Sequence, residues 1–251
     1  KIHLFRTYTC PIIRSGLASF ALRTHQMSPL SLFHRKCLKG FLHLSKTAPT
    51  PALHFLLGEL PMGKIHRDMF SLFFSVWSNP DTKTYEIVKY LLATSSDNST
   101  TWAVNMRHIA KQYNLEDPLT CLYKDPPKKS DLSEMVITRI TAFYEKELRT
   151  LAADNSMMEF LNVSLAGLRG RHHPAVAYLV TTEEVKKSRP HIKFLTGDYL
   201  TYQRKFDQSG SGSPLCRICR LENESISHII GTCGAFNEIR SRILDEVSNL
   251  C

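Results

Sequence analysis

The sequence predicts a mainly α chain: a multi-helix bundle, then a small metal-binding module, then a final helix. Three observations predict it. Apolar residues recur at three- and four-residue spacing along most of the 251 positions. Several of these stretches open on Ser-Pro, Thr-Pro or an Asp/Thr-x-x-Glu pattern, all of which are helix-start signals. Near the C-terminus three cysteines and one histidine, Cys216, Cys219, His228 and Cys233, stand at metal-ligand spacing.

Residues 1–22 are densely apolar, with Pro11 expected to kink or break a helix. Ser28-Pro29 reads as a helix start, Ser as N-cap and Pro in the first turn, with the helix running to about Leu44. Its apolar positions Leu32, Phe33, Leu38, Phe41 and Leu42 contrast with Arg35, Lys36 and Lys39, giving a greasy face and a basic face. Thr50-Pro51 opens a short helix that ends near Gly58. Residues 62–78 form another, with Met69, Phe70, Phe73, Phe74 and Trp77 as a core stripe, stopped by Asn79-Pro80.

Helices follow at about 82–93, 100–113 and 131–153, the last opened by the capping-box pattern Asp131-x-x-Glu134. The preceding Asp125-Pro-Pro-Lys-Lys129 reads as a rigid, exposed connector and a subdomain boundary. Residues 154–180 are less regular. Thr181-x-x-Glu184 is a second capping box, and the segment from Pro190 to about Phe206 reads as helix. Gln208–Ser213 reads as a flexible linker. Residues 235–248 form an amphipathic helix through Phe236, Ile239, Ile243, Leu244 and Val247. The expected division is a basic helical domain over 1–80, a helical connector region over 81–207, and a metal module with C-terminal helix over 208–251.

An apolar fraction of 43% lets such a chain bury a core without covalent staples. No stretch approaches the roughly 20 apolar residues of a membrane span, and residues 1–6 lack the apolar run of a secretory signal. Opening on Lys1 reads as an internal piece of a longer reading frame. Of the seven cysteines, Cys10, Cys37 and Cys121 sit singly in apolar surroundings and read as core residues. Cys251 reads as terminal and free. An odd count with clustered members fits a reducing compartment, nuclear or cytoplasmic, and a metal. The sequons at Asn98, Asn162 and Asn223 are expected to be idle there.

The formal charge of +9 is unevenly placed. Residues 1–80 hold ten basic residues, among them Lys1, Arg23, Arg35, Lys36 and Lys39, against only Glu59 and Asp68. The rest of the chain is nearly balanced. A localised basic excess suits a polyanion, RNA or DNA, although the same charge also serves solubility.

In the metal module two residues separate Cys216 from Cys219, eight separate Cys219 from His228, and four separate His228 from Cys233. A Cys-x-x-Cys turn aims two thiolates at one ion, and the His-x4-Cys pair supplies two more ligands. Three thiolates and an imidazole close a tetrahedron with no position left for water, so the expected cofactor is a structural zinc ion. Arg217 and Arg220 flank the thiolate turn as candidate nucleic-acid contacts, while Glu222, Glu224 and Glu238 cancel part of the charge.

Other patterns fail on chemistry. Gly58…Gly63-Lys64 imitates a P-loop, but Ile65 stands where magnesium needs a hydroxyl and Pro61 removes a donor. His172-His173 has no further ligand at useful spacing. No two aspartates are adjacent, so the chain offers no local two-metal polymerase site and no catalytic residue is assigned.

Tyr8-x-x-Pro11-x4-Gly16, Leu32-Phe-His-Arg-Lys-Cys-Leu-Lys39 and Leu56-Leu-Gly-Glu-Leu-Pro61 resemble the segment after the palm in reverse transcriptases of non-LTR (LINE-type) retrotransposons. His173-Pro174, Phe194-Leu-Thr-Gly197, the Cys-Cys-His-Cys set and Phe236…Arg240-x-x-Ile243-Leu244 are similar to the C-terminal region of the same proteins. Residues 80–165 carry no such likeness. The resemblance implies a thumb over residues 1–80 that holds template and primer, a zinc knuckle touching RNA or DNA, and an upstream palm and fingers of the same polyprotein as partner. The family's catalytic aspartates lie in that palm, outside this chain. The competing expectation is a retroelement-derived structural or protein-interaction component of a host assembly, without catalysis.

Overall fold

The computed structural model describes residues 2–249 apart from 21, 23, 62, 97, 98, 100, 166, 179 and 180. Lys1, Arg23, the sequon asparagine Asn98 and Cys251 therefore lie outside the described residues. The chain is mostly helical. Among the described residues there is no strand, only one isolated bridge between Leu215 and Asn223. Among the described residues, no helix is long and apolar enough to cross a membrane.

The chain opens with α1 (Ile2–Leu4), a π-helical turn Phe5–Thr9 and α2 (Cys10–Leu17). Pro11 sits in the first turn of α2. A proline has no N–H to give the preceding turn, and here the helix widens to π spacing just before it. Next comes α3 (Thr24–Phe41), which corrects two expectations. It starts before Ser28, so Pro29 lies inside the helix. Met27 packs with Ile65, Leu17 and Leu30, and this contact holds the first turn helical ahead of the proline. The buried stripe is also rotated: Met27, His34, Leu38 and Leu42 point inward, whereas Leu32 and Phe33 are exposed. His34 takes the place of an apolar residue, stacked on Phe5 with ring centroids 5.8 Å apart.

Helix α4 (Thr50–Leu57) has Pro51 in its first turn and Gly58 as its left-handed C-cap at φ 59°. A Cβ on Gly58 would lie 1.9 Å from the Arg171 carbonyl oxygen, so the chain crosses there only because the side chain is absent. Helix α5 (Lys64–Trp77) buries Met69, Phe70, Phe73 and Trp77, with Phe74 partly covered. Each such side chain contributes on the order of 2 kcal/mol when buried. Then follow α6 (Lys83–Thr94) and α7 (Trp102–Gln112), each capped by a threonine side chain, and the short α8 (Pro118–Cys121).

The longest helix is α9 (Lys129–Ala153). It begins two residues ahead of Asp131, so the expected capping box is not its start. Asp131 instead sits in the first turn, where a carboxylate favours the helix dipole. Glu134 pairs with Arg169 across to the following loop. Short turns lead to α10 (Pro174–Ala177) and α11 (Thr182–Lys187), whose Thr181–Glu184 capping box forms as expected. The helix expected from Pro190 to Phe206 is two helices, α12 (Arg189–Leu195) and α13 (Tyr202–Ser209). Gly197 breaks it at φ 59°, against the Met157 carbonyl. Part of the expected linker, Gln208 and Ser209, closes α13. The last element is α14 (Asn237–Ser248).

Two large cores form among the described residues, and each draws residues from both sides of residue 80. The first joins α5, α6, α7 and the N-terminal half of α9 around Phe73, Leu92, Met106 and Ile140. The second joins the end of α3, α4, the C-terminal half of α9 and α12 around Leu53, Phe55, Leu148 and Ile192. Cys121 is buried, while Cys10 and Cys37 are only half-buried. The decoy lysine has a structural partner: Lys64 and Arg6 each reach the buried Glu59 carboxylate at 2.5 Å. Burial opposes ionisation of Glu59, but these two charges offset it and hold the group below its ordinary pKa.

Gly58→Ala is expected to lose more than about 2 kcal/mol of stability, since positive φ alone costs about 1–2 kcal/mol and a backbone clash adds to it. Urea unfolding of the variant checks this. Burial also lowers the pKa of His34, His54 and His66 to about 4. The native chain thus excludes protons that the unfolded chain binds below pH 6.5. Stability is full above that pH and falls as pH drops toward 4, by about 1.4 kcal/mol per pH unit for each such histidine. His34→Leu should remove one histidine's share of that slope, measured by urea unfolding between about pH 6.5 and pH 4.5.

Candidate metal centre

The metal module is built on a tight turn that the sequence closes with backbone bonds. Cys216 N–H donates to the Glu222 carbonyl at 2.7 Å, Arg220 N–H to the Cys216 carbonyl at 2.9 Å, and Glu224 N–H to the Pro214 carbonyl at 2.8 Å. Arg220 adopts φ 57°, which bends the chain back after the second cysteine. The backbone N–H groups of Cys219 and Ile218 lower the Cys216 pKa against its burial, and those of Leu221 and Glu222 lower that of Cys219. Such donors stabilise thiolates. A π-helical turn, His228–Thr232, then delivers the histidine and returns to Cys233.

The four expected ligand atoms converge. They all lie within 4.8 Å of one another. Cys216 Sγ is 4.0 Å from Cys233 Sγ, and Cys219 Sγ is 3.2 Å from His228 Nε2. A tetrahedral site with metal–sulfur bonds near 2.3 Å has sulfur–sulfur edges of about 3.8 Å. Cys216, Cys233 and His228 are buried and Cys219 is half-buried. The group could therefore hold a metal ion, and its donor chemistry is compatible with zinc.

Glu222 completes the centre. Its carboxylate lies 2.9 Å from His228 Nδ1, and Thr232 Oγ1 lies 3.1 Å from the same nitrogen. An Nδ1–H donated to Glu222 leaves Nε2 free to face the thiolates, which is how metal-bound histidines are usually oriented. In the sequence Glu222 reads only as a cancelling charge. The signal is there in principle, since a ligand histidine needs an acceptor for its other nitrogen.

Glu224 docks the module onto the body. Its carboxylate is 1% exposed. It accepts from Arg217 Nε at 2.8 Å, Arg217 Nη2 at 2.6 Å and the Tyr202 backbone N–H at 3.0 Å, at the start of α13. The Arg217 hydrogen bonds, with those from backbone N–H groups, hold its pKa at about 2. Ser227 adds a bond to Glu159 at 3.0 Å. Arg240 ties α14 to the module by donating to the carbonyls of Cys233 and Ile230.

The candidate nucleic-acid residues fall in two groups, one on α3 and one on the thiolate turn. On α3, Lys36 is exposed, Arg35 is half-buried, and Lys39 Nζ donates to the Lys46 carbonyl at 2.5 Å. On the turn, Arg220 is exposed, whereas Arg217 is ion-paired with Glu224 and lies over the Tyr202 ring at 4.6 Å. The expected amphipathic C-terminal helix forms, yet its apolar residues Ile239, Ile243, Leu244 and Val247 remain exposed. Comparison with protein-family models, with curated proteins and with solved structures gave no match.

Glu222→Gln should keep the fold of the body and weaken metal affinity about 10- to 100-fold. Competition between the protein and a chelator, followed through the cobalt(II)–thiolate absorbance, measures this. An unchanged affinity would show that Glu222 does not orient His228.

Proposed function

We propose that this chain is a non-catalytic, nucleic-acid-binding portion of a reverse transcriptase of the non-LTR retrotransposon type, with a structural zinc ion in the Cys216, Cys219, His228 and Cys233 site. The observation that carries the reading is the closed Cys3His donor set, with its histidine oriented by Glu222 and its turn docked through Glu224. Such a site leaves no open position for chemistry, so the ion folds the module and the surroundings do the binding. Support comes also from the basic excess in residues 1–80, from exposed Lys36 on α3 and from exposed Arg220 on the thiolate turn. RNA or DNA phosphates are the ligands that match this charge, and the palm and fingers of the same polyprotein are the partner the resemblance implies. A nuclear or cytoplasmic location follows from the same reading.

A second reading has its own observation. Ile218, Leu221, Ile243 and Leu244 of the metal module and α14 are exposed, Leu221 to 83%. A retroelement-derived component that docks a protein partner through this face, without nucleic acid, uses the same zinc-folded module.

The test is binding of the full chain to labelled single-stranded RNA across a salt series, with zinc measured in the purified protein. The first reading expects about one zinc per chain and an affinity that falls steeply with salt. Replacing Arg35, Lys36 and Lys39 together by alanine is expected to flatten the slope, by up to about 0.7 for each phosphate no longer neutralised. Zinc-loaded protein with no salt-dependent RNA binding would instead favour the second reading.

A further inference from the structure

Helices α5 and α9 pack along each other. Between α5 and the first two turns of α9 lies a cleft of about 290 Å³. Arg67 and Ser71 line it from α5, and Lys129 and Ser133 line it from α9. The spacing is the same on both helices: a cation, then a serine four residues later. Each pair therefore stands on one helix face, one turn apart. The positions three and seven residues after each cation are apolar, Phe70 and Phe74 on α5, Leu132 and Val136 on α9, and these form the floor.

One carboxylate also borders the cleft, Asp68, but Arg14 occupies both of its oxygens, Nε to Oδ2 at 2.7 Å and Nη2 to Oδ1 at 2.6 Å. Arg67 touches Asp68 only at 3.3 Å and is 40% exposed. With Asp68 neutralised by Arg14, the charges of Arg67 and Lys129 leave the cleft net positive. Two cations and two hydroxyl donors over an apolar floor match a phosphate ester: the cations and hydroxyls meet the phosphate oxygens, and the floor meets the attached sugar or base.

We propose that this α5–α9 cleft binds a phosphate ester, carried either by an RNA strand or by a free nucleotide. The RNA source rests on the nucleic-acid reading above; the phosphate chemistry does not. The sequence does not bring these four residues together, because Arg67 and Lys129 lie 62 positions apart, and only the packing of α5 on α9 joins them.

The full-length chain is titrated with AMP by calorimetry and, separately, with labelled single-stranded RNA over a salt series. Arg67→Ala and Lys129→Ala are each compared with the parent. Both side chains are on the surface, so an unchanged thermal midpoint confirms that the variants fold. The proposal expects each to weaken AMP binding about tenfold or to lower the RNA salt slope by roughly 0.7, with Ser133→Ala weakening affinity at constant slope. AMP binding that depends on these residues, without RNA binding, upholds the cleft, assigns it a free nucleotide, and removes the nucleic-acid reading. RNA binding with slope and affinity unchanged in both variants, and no AMP binding that depends on Arg67 and Lys129, overturns the cleft and leaves that reading standing. Binding of neither ligand overturns both.

Discussion

Helix α9 is the constraint on which both cores depend. Its 25 residues span about 37 Å at 1.5 Å per residue. Val136 and Ile140 on its N-terminal half face the α5–α7 core, and Leu148 and Ala152 on its C-terminal half face the α3–α4 core. Tyr144 lies between them, packed against both. Neither core closes without this helix, because the elements on one half do not supply the stripe that the other half buries. The metal module depends on the same helix at one remove. It meets the body at Glu159 and Tyr202, which flank the second core, so its position is inherited from packing on the far half of α9.

Around this spine, buried carboxylates act as long-range ties. Glu59 holds Arg6, 53 residues away, beside the α4–α5 corner. Asp198 accepts from the Ser45 backbone N–H at 2.7 Å across 153 residues. Glu224 joins the metal turn to α13. An unpaired carboxylate at such depth is strongly unfavourable, so each one specifies its partner segments more sharply than an apolar contact does. The metal module needs that help most. Among its described residues the buried ones are Cys216, Glu224, His228 and Cys233, a polar set with no apolar core to fall back on. A metal held by the four ligands supplies folding free energy that the segment's own packing does not.

The parts legible in the sequence are those where a local signal and the tertiary environment agree. Thr50-Pro51 and Gly58 bound α4, Thr181 and Glu184 cap α11, and the aromatic stripe of α5 faces a core. The four metal donors are legible because a closed site fixes their spacing. What escapes is decided elsewhere in the chain. Pro29 reads as a start, but Met27 against Ile65 extends the helix behind it. His34, assigned to neither face of the helix, is buried, because Phe5 stacks on it and neutral imidazole packs well. The helix expected from Pro190 to Phe206 breaks at Gly197, where the Met157 backbone comes too close for any other residue. Glu222 and Glu224 read as surface charge. A carboxylate reaches a histidine or an arginine from many sequence separations, so no spacing marks it.

Charge shows the same division. The excess in residues 1–80 reads as a field for a polyanion, yet much of it is used internally. Arg6 and Lys64 ionise Glu59, Arg14 holds Asp68, and Lys39 closes on the Lys46 carbonyl. Arg217 in the metal turn is likewise committed to Glu224. A formal count therefore overstates the positive charge available to a ligand, and its location shifts once the pairs are removed. Exposed Lys36 and Lys46 remain around α3, and Arg67, paired with Asp68 only at 3.3 Å, borders the α5–α9 cleft with Lys129, which comes from a segment whose own charge is nearly balanced. Electrostatic binding is set by cations that keep water as their partner, not by those that hold the chain to itself. The surface suited to phosphate thus includes the α5–α9 seam as well as the basic helix that the sequence singled out.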